Sequence, residues 1–354
     1  MLGEPPDDPL LFFSVLYGFW TASYIASNGD VMRELAARFL ALAGRQGAPI
    51  PLMIGHRIMG TSLLCTGEIA QARVHQDEGI ALYNPAEHRP LAARFGQDAR
   101  VVIWFYRAVA SWLLGDADAA RADANQAFED ARGIGQAGTL MFALLHGSLI
   151  DILCGDYAAT NAATNELAAL AEQKGALFWK ALGMSIQGCT FALTGKAADA
   201  VEMITSGITA LRSTGATLWV PAFLSHLTTA YAELGQFDDA WRSIGEAMSA
   251  VETTKERWYE AEVNRIAGEI ALMSPERDTA KAQAHFERAL AVARLQQAKS
   301  WELRAAVSMA RLKRDQGKRD EARALLAPVY GWFTEGFDTL DLKEAKTLLD
   351  ALAP

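Results

Sequence analysis

The chain has 354 residues, 51% of them hydrophobic, and a formal net charge of −9; phosphate recognition needs dense positive charge, so this balance argues against a nucleic-acid surface. Alanine, leucine and glutamate are plentiful, β-branched residues are scarce and there are only 11 prolines, a composition that favours helix over strand. Cys65, Cys154 and Cys189 are odd in number and far apart, which excludes a disulfide framework and a Cys-x-x-Cys metal site and reads as buried thiols in a reducing, cytoplasmic compartment.

The N-terminal stretch MLGEPPDDPLLFF is acidic where a signal peptide is basic, and no apolar run is expected to reach the roughly 18 residues of a membrane span. From there one frame recurs to the C-terminus. Turn glycines stand at Gly29, Gly67, Gly115, Gly155, Gly195, Gly235 and Gly317, mostly about 40 residues apart. Five residues after the glycine come Ala72, Ala120, Ala200, Ala240 and Ala322, with Glu34 and Thr160 as the exceptions. Seven residues before it the side chain is always small: Ala22, Gly60, Ala108, Ser148, Gly188, Thr228 and Ala310. In one further unit Ser274 replaces the glycine and the turn gains about three residues, aligning Ala267, Ala282 and Ala289.

Small residues at these positions let two antiparallel helices approach closely across a turn whose glycine is free to take positive φ. The unit is a helical hairpin. Gly47, Gly135, Gly175 and Gly215 are placed to end second helices, and Trp179, Trp219, Trp258 and Trp301 share a position near the start of first helices, where each can wedge between consecutive hairpins. A hairpin cannot cover its own apolar faces, so the units must stack into a solenoid. The frame predicts a single domain over 1–354 with units 10–48, 49–96, 97–135, 136–175, 176–215, 216–254, 255–297 and 298–336, closed by a helix over 341–352.

The pattern L-G-x-x-x-x-A-x-x-x-x-x-x-A in a helix-turn-helix unit resembles the tetratricopeptide repeat in its long, about 40-residue variety, implying an all-α, tetratricopeptide-like superhelical solenoid of about eight repeats plus a C-terminal capping helix. Residues 56–75, 82–98, 256–272, 296–312 and 319–352 are similar to the C-terminal repeat region of bacterial proteins carrying a class III adenylate/guanylate cyclase domain and a predicted ATPase module upstream. That resemblance implies the sensory or regulatory arm of such a signalling protein. Cyclase and ATPase chemistry cannot be assigned to these residues: the only Gly-Lys pairs, Gly195-Lys196 and Gly317-Lys318, lie in helical turns and are followed by Ala and Arg, so no phosphate loop is present.

Gly133-Ile-Gly-Gln-Ala-Gly138 spells G-x-G-x-x-G, but the dinucleotide motif needs a strand before it, and FEDAR is helical. The interval holding Tyr83-Asn-Pro-Ala-Glu-His-Arg-Pro90 and Gln97-Asp98 is about eight residues longer than usual. It reads as a tolerated loop or as a lid or partner contact using Tyr83, His88, Arg89 and Asp98. His56, His146 and His226 fall on first helices of different units without metal spacing, and no G-x-S-x-G or H-E-x-x-H occurs, so neither a metal, a cofactor nor catalysis is expected.

Solenoids of this kind bind along the concave wall formed by first helices. In the family register that wall carries Phe105, Trp112, Phe142, Leu145, Leu149 and Ile152, then Ser185, Ser225, Thr229 and Asn264, then Arg304, Arg311 and Arg314. Residues 299–323 hold eight Lys or Arg against four Asp or Glu, a basic end that suits an amphipathic protein or peptide segment with acidic residues at one end. A shift of one residue would turn the aromatic stripe into inter-helix core instead. The expected function is non-catalytic protein or peptide binding; the alternative is small-molecule effector sensing, as in transcription-regulator type proteins with related helical repeats, for which the discriminating feature is an enclosed apolar pocket around the third and fourth units, under the 83–98 insertion.

Overall fold

The computed structural model describes Asp8 and residues 10–353, and among these residues no strand occurs. Eight helix pairs follow one another: α1 Leu11–Ile25 with α2 Gly29–Gln46, α3 Pro49–Thr66 with α4 Ile69–Ala81, then, after two one-turn helices, α5 Pro85–His88 and α6 Ala92–Phe95, α7 Ala99–Leu114 with α8 Ala117–Ile134. The series continues with α9 Ala137–Cys154 and α10 Tyr157–Lys174, α11 Leu177–Leu193 and α12 Ala197–Ser213, α13 Val220–Glu233 and α14 Phe237–Thr254. It ends with α15 Glu260–Met273 and α16 Thr279–Leu295, α17 Lys299–Asp315 and α18 Arg319–Tyr330, and the terminal α19 Leu340–Ala351.

The recurrent small residues act as their spacing predicts. A Cβ on Gly188 would meet the backbone nitrogen of Ile204 at 3.0 Å, and one on Gly60 would meet the carbonyl of Ala72 at 3.1 Å, so paired helices touch backbone to backbone. Gly135, within the dinucleotide-like string, caps α8 at φ 70°, and no strand precedes it. The seventh pair lacks a turn glycine; Ser274 ends α15 in extended backbone and the Asp278 carboxylate accepts from the Lys281 N–H to start α16.

First helices line the inside of the superhelix and second helices the outside. In α9, 14 of 18 residues are buried, against 4 of 18 in α10, because an inner helix packs on several sides and an outer one on a single face. The expectation that no segment has the length and apolarity of a membrane span needs correction: α9 has both, and most of its residues are buried in the centre of the solenoid.

Successive turns of the superhelix touch, which the repeat frame did not foretell. Unit 1 meets the start of unit 6 where Thr217 N–H donates to Ile25 O (3.0 Å). Unit 2 meets unit 7 where Arg257 N–H donates to Cys65 O (2.7 Å), and unit 3 meets unit 8 where the Trp112 and Trp301 rings cross at 4.7 Å. Unit 4 meets α19, with Gly155 against Leu340. Contacts from unit 1 to 6, 2 to 7 and 3 to 8 put about five units in each turn. The Glu256 carboxylate bolts one seam, accepting from Ser27 Oγ (2.7 Å), Trp219 N (3.2 Å) and Trp258 Nε1 (3.0 Å).

Candidate functional site

Because the turns stack, the concave wall encloses an axial lumen rather than an open groove. Three cavities lie along it, each ringed by first helices. The N-terminal one, about 80 Å³, is walled by aromatic residues of α1, α7, α9 and α11, among them Tyr24, Tyr106, Phe142 and Trp179. A small one of about 20 Å³ follows between Leu149, Ile152, Trp219 and Tyr259. The C-terminal one, about 210 Å³, is bounded by α9, α13, α15, α17 and α19 and mixes Ile152, Leu153 and Val307 with Thr229, Ser308 and a set of charged groups.

Those charges come from the consecutive cavity-lining helices α15, α17 and α19, and the turn-on-turn stacking adds α9 beside them. Glu262 on α15 is buried and accepts both Arg265 Nε (2.8 Å) and Arg265 Nη2 (2.7 Å), with Arg304 Nη1 at 3.5 Å. Arg304 on α17 donates from Nε to Asp341 Oδ2 (2.8 Å) and from Nη2 to Leu153 O (3.3 Å), with its guanidinium about 5 Å from the Trp112 and Trp301 ring centres. Burial opposes ionisation of Glu262, but Arg265 and Arg304 outweigh it and hold the carboxyl at about 2. Asp341 behaves oppositely: burial pushes it up, and Arg304 offsets that only in part. Ser308 joins the network by donating to Glu269 Oε1 (2.5 Å). Three arginines and three carboxylates, Arg265, Arg304, Arg311, Glu262, Asp341 and Glu344, therefore face one polar cleft, which can satisfy both the donors and the acceptors of an extended backbone.

The sequence-derived wall divides on inspection. Phe142 and Leu145 line the aromatic cavity, Leu149 and Ile152 the middle one, and Ile152, Thr229, Arg304 and Arg311 the polar cleft. Phe105 and Trp112 are buried between helices, where Trp112 fills the seam against Trp301, so both belong to the core rather than to a free wall. Ser185 and Ser225 are buried and donate to carbonyls of their own helices, and Asn264 Nδ2 does the same to Glu260 O (2.8 Å). The basic end is largely neutralised: Arg304 pairs with Asp341, Arg311 with Glu344 and Arg314 with Asp315. Two of those carboxylates sit on α19, distant in sequence from the arginines they meet.

The lengthened interval is a joint in place of a free lid. Asp98 is fully buried, accepts from Arg100 N (3.0 Å) and Val101 N (3.2 Å) to cap α7, and accepts from Tyr83 Oη (2.7 Å). His88 is buried and its Nδ1 accepts from Asn84 N (2.8 Å), while Arg89 alone of the four is exposed. Phe95, at the end of this segment, accepts at its carbonyl from Tyr17 Oη (2.9 Å) and ties the joint to α1.

Sequence reasoning missed Glu262, Arg265, Asp341 and Arg57. The signal was present for two of them: Arg57 is a lone cation within the apolar run PLMIGHRIMG, and Arg265 interrupts the inner face of α15.

Two histidines report on burial of the lumen. His146 stacks on Phe142 with centroids 3.7 Å apart, and His226 Nε2 lies 3.2 Å from Tyr259 Oη. Burial lowers His146 to about 3 and, against the pull of Glu262, His226 to about 4. Both folded values lie below the unfolded value of about 6.5, so the unfolded chain binds protons first and stability present above that pH is lost as pH falls through it towards 4 and 3. Asp151, raised by burial to about 7, works in the opposite direction, so variants must be compared at matched pH. Urea unfolding at pH 7 and pH 5 should show His146→Gln and His226→Gln each losing about 2 kcal/mol less than the wild type over that interval.

No protein-family profile and no curated protein sequence matches the chain. Its fold is similar to that of the Rap conjugation gene regulator of the plasmid pLS20 in complex with the Phr* peptide, at TM-score 0.60 and 8% identity, covering 96% of each chain. It is similar also to a Rap protein complexed with competence and sporulation factor, at TM-score 0.59 and 12% identity, covering 99% of this chain and 87% of that one. Yeast Tom70 aligns at TM-score 0.45 and 12% identity over 92% of this chain, which spans 59% of the Tom70 chain. At such identities the likeness is one of fold: this chain is an all-α, tetratricopeptide-like superhelix of eight helix pairs and a terminal helix, with its cavities on the axis.

Proposed function

We propose that the protein is a non-catalytic receptor for a peptide or an extended protein segment, held in the polar cleft between α9, α13, α15, α17 and α19. The observation that carries this reading is the composition of that cleft: arginines and carboxylates in equal number, fixed in position by one another, beside the apolar surface of Ile152, Leu153 and Val307. Fixed donors and acceptors offer hydrogen bonds to a peptide main chain without ordering cost at the moment of binding. The likeness of fold to two Rap proteins whose structures contain a peptide and a competence and sporulation factor supports the reading. An acidic residue in the ligand would compete with Glu344 for Arg311, the most exposed cation of the cleft. The protein would act in the cytoplasm, and the resemblance of its repeats to those of cyclase-domain proteins would make it the sensory or regulatory arm of a nucleotide-cyclase or ATPase-type signalling protein.

Panning a random peptide library on the full chain tests this. Enriched peptides should bind Thr229→Trp/Arg311→Glu at least tenfold more weakly while its melting temperature stays unchanged. Equal affinity for that variant, or no enrichment on the wild type, rejects the cleft as a peptide site.

A second reading, sensing of a small effector, is favoured by one specific observation. The aromatic cavity lies between α1 and the first helices of the third, fourth and fifth units, and most of its wall is aromatic or aliphatic.

A further inference from the structure

Arg57 projects from α3 and is 3% exposed, yet among the described residues no carboxylate lies within salt-bridge distance of it. Its partners are all neutral: Nη2 donates to Tyr17 Oη (2.9 Å) and to Gln97 Oε1 (3.1 Å), and Nη1 reaches Phe95 O at 3.5 Å. Nε is buried and has no acceptor. The other guanidinium groups of the lumen are matched by carboxylates, Arg265 and Arg304 at 2.7–2.8 Å and Arg311 at 3.2 Å. A guanidinium cannot discard its proton, so a buried one without a counter-charge is costly unless something supplies that charge.

The same residue lines the aromatic cavity, together with Gln97 and with Thr21, whose Oγ1 is likewise buried without a partner. The rest of the wall is mainly aromatic and aliphatic, with Trp20, Phe142, Leu145, Phe178 and Trp179, and it also carries Tyr24, Tyr106 and His146. At about 80 Å³ the cavity is about half the roughly 150 Å³ of an apolar cavity that accepts benzene, so a single ring or a short alkyl chain is the upper limit for its occupant and requires the walls to move apart. We infer that this cavity binds a small apolar monocarboxylate, its ring or alkyl body among the aromatic side chains and its carboxylate on Arg57 and Thr21. The inference rests on the small-effector reading and specifies its ligand class; it is separate from the peptide cleft, which lies towards the other end of α9 with the middle cavity between them. A charge-assisted bond to Arg57 would be made in a water-poor setting, where it is strong, and would remove the electrostatic penalty of a buried guanidinium with only neutral partners.

The experiment uses the full chain and four probes at pH 7: benzoate and hexanoate, with benzamide and hexanamide as uncharged counterparts. Binding is read by calorimetry and by fluorescence of Trp20 and Trp179, which wall the cavity. Both acids should bind, and both amides should bind at least tenfold more weakly. Arg57→Met should lower affinity for the acids at least tenfold while leaving the amides unaffected, and Leu145→Phe, which fills the cavity and keeps Arg57, should abolish binding of all four. Should Arg57→Met fail to fold, Thr21→Val and Leu145→Phe still decide the matter, Thr21→Val by weakening the acids alone. Equal binding of acids and amides overturns the role of Arg57 while the small-effector reading survives. Absence of binding by any of the four overturns both. Tighter acid binding by Glu4→Gln/Asp7→Asn would show that the N-terminal carboxylates, which lie outside the described residues, already neutralise Arg57, and would overturn the inference too.

Discussion

Replacing Trp301 by alanine is expected to cost about 4 kcal/mol of stability and to expand the molecule, because this one side chain fills the seam between two turns of the superhelix. Trp301 is 1% exposed. Its ring meets Trp112 of the third unit at 4.7 Å and Tyr259 of the seventh at 5.1 Å, and its Nε1 donates to Trp258 O (2.9 Å). Alanine would leave a void that neither turn can close without shifting, strand the Trp258 carbonyl, and remove a ring over which Arg304 rests. Trp241→Ala is the matched control: that indole sits half-buried on outer helix α14, with the Lys281 ammonium 3.3 Å from its ring centre, and should cost no more than about 2 kcal/mol. Urea unfolding measures the energies, and small-angle scattering of the folded variants measures the radius. Equal losses for the two substitutions, or an unchanged radius for Trp301→Ala, would remove the seam from the explanation of the fold.

Glu262→Ala should be nearly as damaging, at about 3 kcal/mol, although it deletes little apolar surface. The carboxylate neutralises Arg265 through two short bonds and lies 3.5 Å from Arg304, so its loss leaves two guanidinium groups with fewer counter-charges inside the lumen. Arg265 retains only Glu269 at 3.2 Å and Ser308 at 3.4 Å. Replacing both members of the pair, as Glu262→Leu/Arg265→Met, should recover most of the stability, since the unpaired charge and not the missing bond is the expensive part. The exposed pair Arg311–Glu344 offers the contrast: removing Glu344 should change stability by less than about 1 kcal/mol. If the double replacement were as unstable as Glu262→Ala, packing at α15 rather than charge would be responsible. Because Glu262 titrates at about 2 when folded, below the usual carboxylate value of about 4.3, the stability it confers is complete above the latter and is lost as pH falls towards 2.

Local geometry was legible in the chain because each hairpin is determined within about 40 residues. A glycine that must take positive φ, such as Gly235 at 74°, and the close approach of Gly188 to Ile204 are short-range demands, and they leave their mark as a repeated spacing. The aromatic stripe was also visible, but not its fate: Phe142 and Leu145 border a cavity whereas Phe105 and Trp112 do not, and no period in the sequence distinguishes them.

By itself, then, the sequence determined the hairpin, the number of pairs and the order of their stacking, since these follow from contacts between neighbours. Only the tertiary structure decided the pitch. Pitch depends on small rotations accumulated over about five units, so whether Trp112 would face solvent or Trp301, and whether the inner wall would be a groove or a lumen, depended on contacts between successive turns. The position of Arg57 belongs to the same level: its charge was plain in the text, and its lack of an opposite charge among the described residues became visible only when every helix around it was in place.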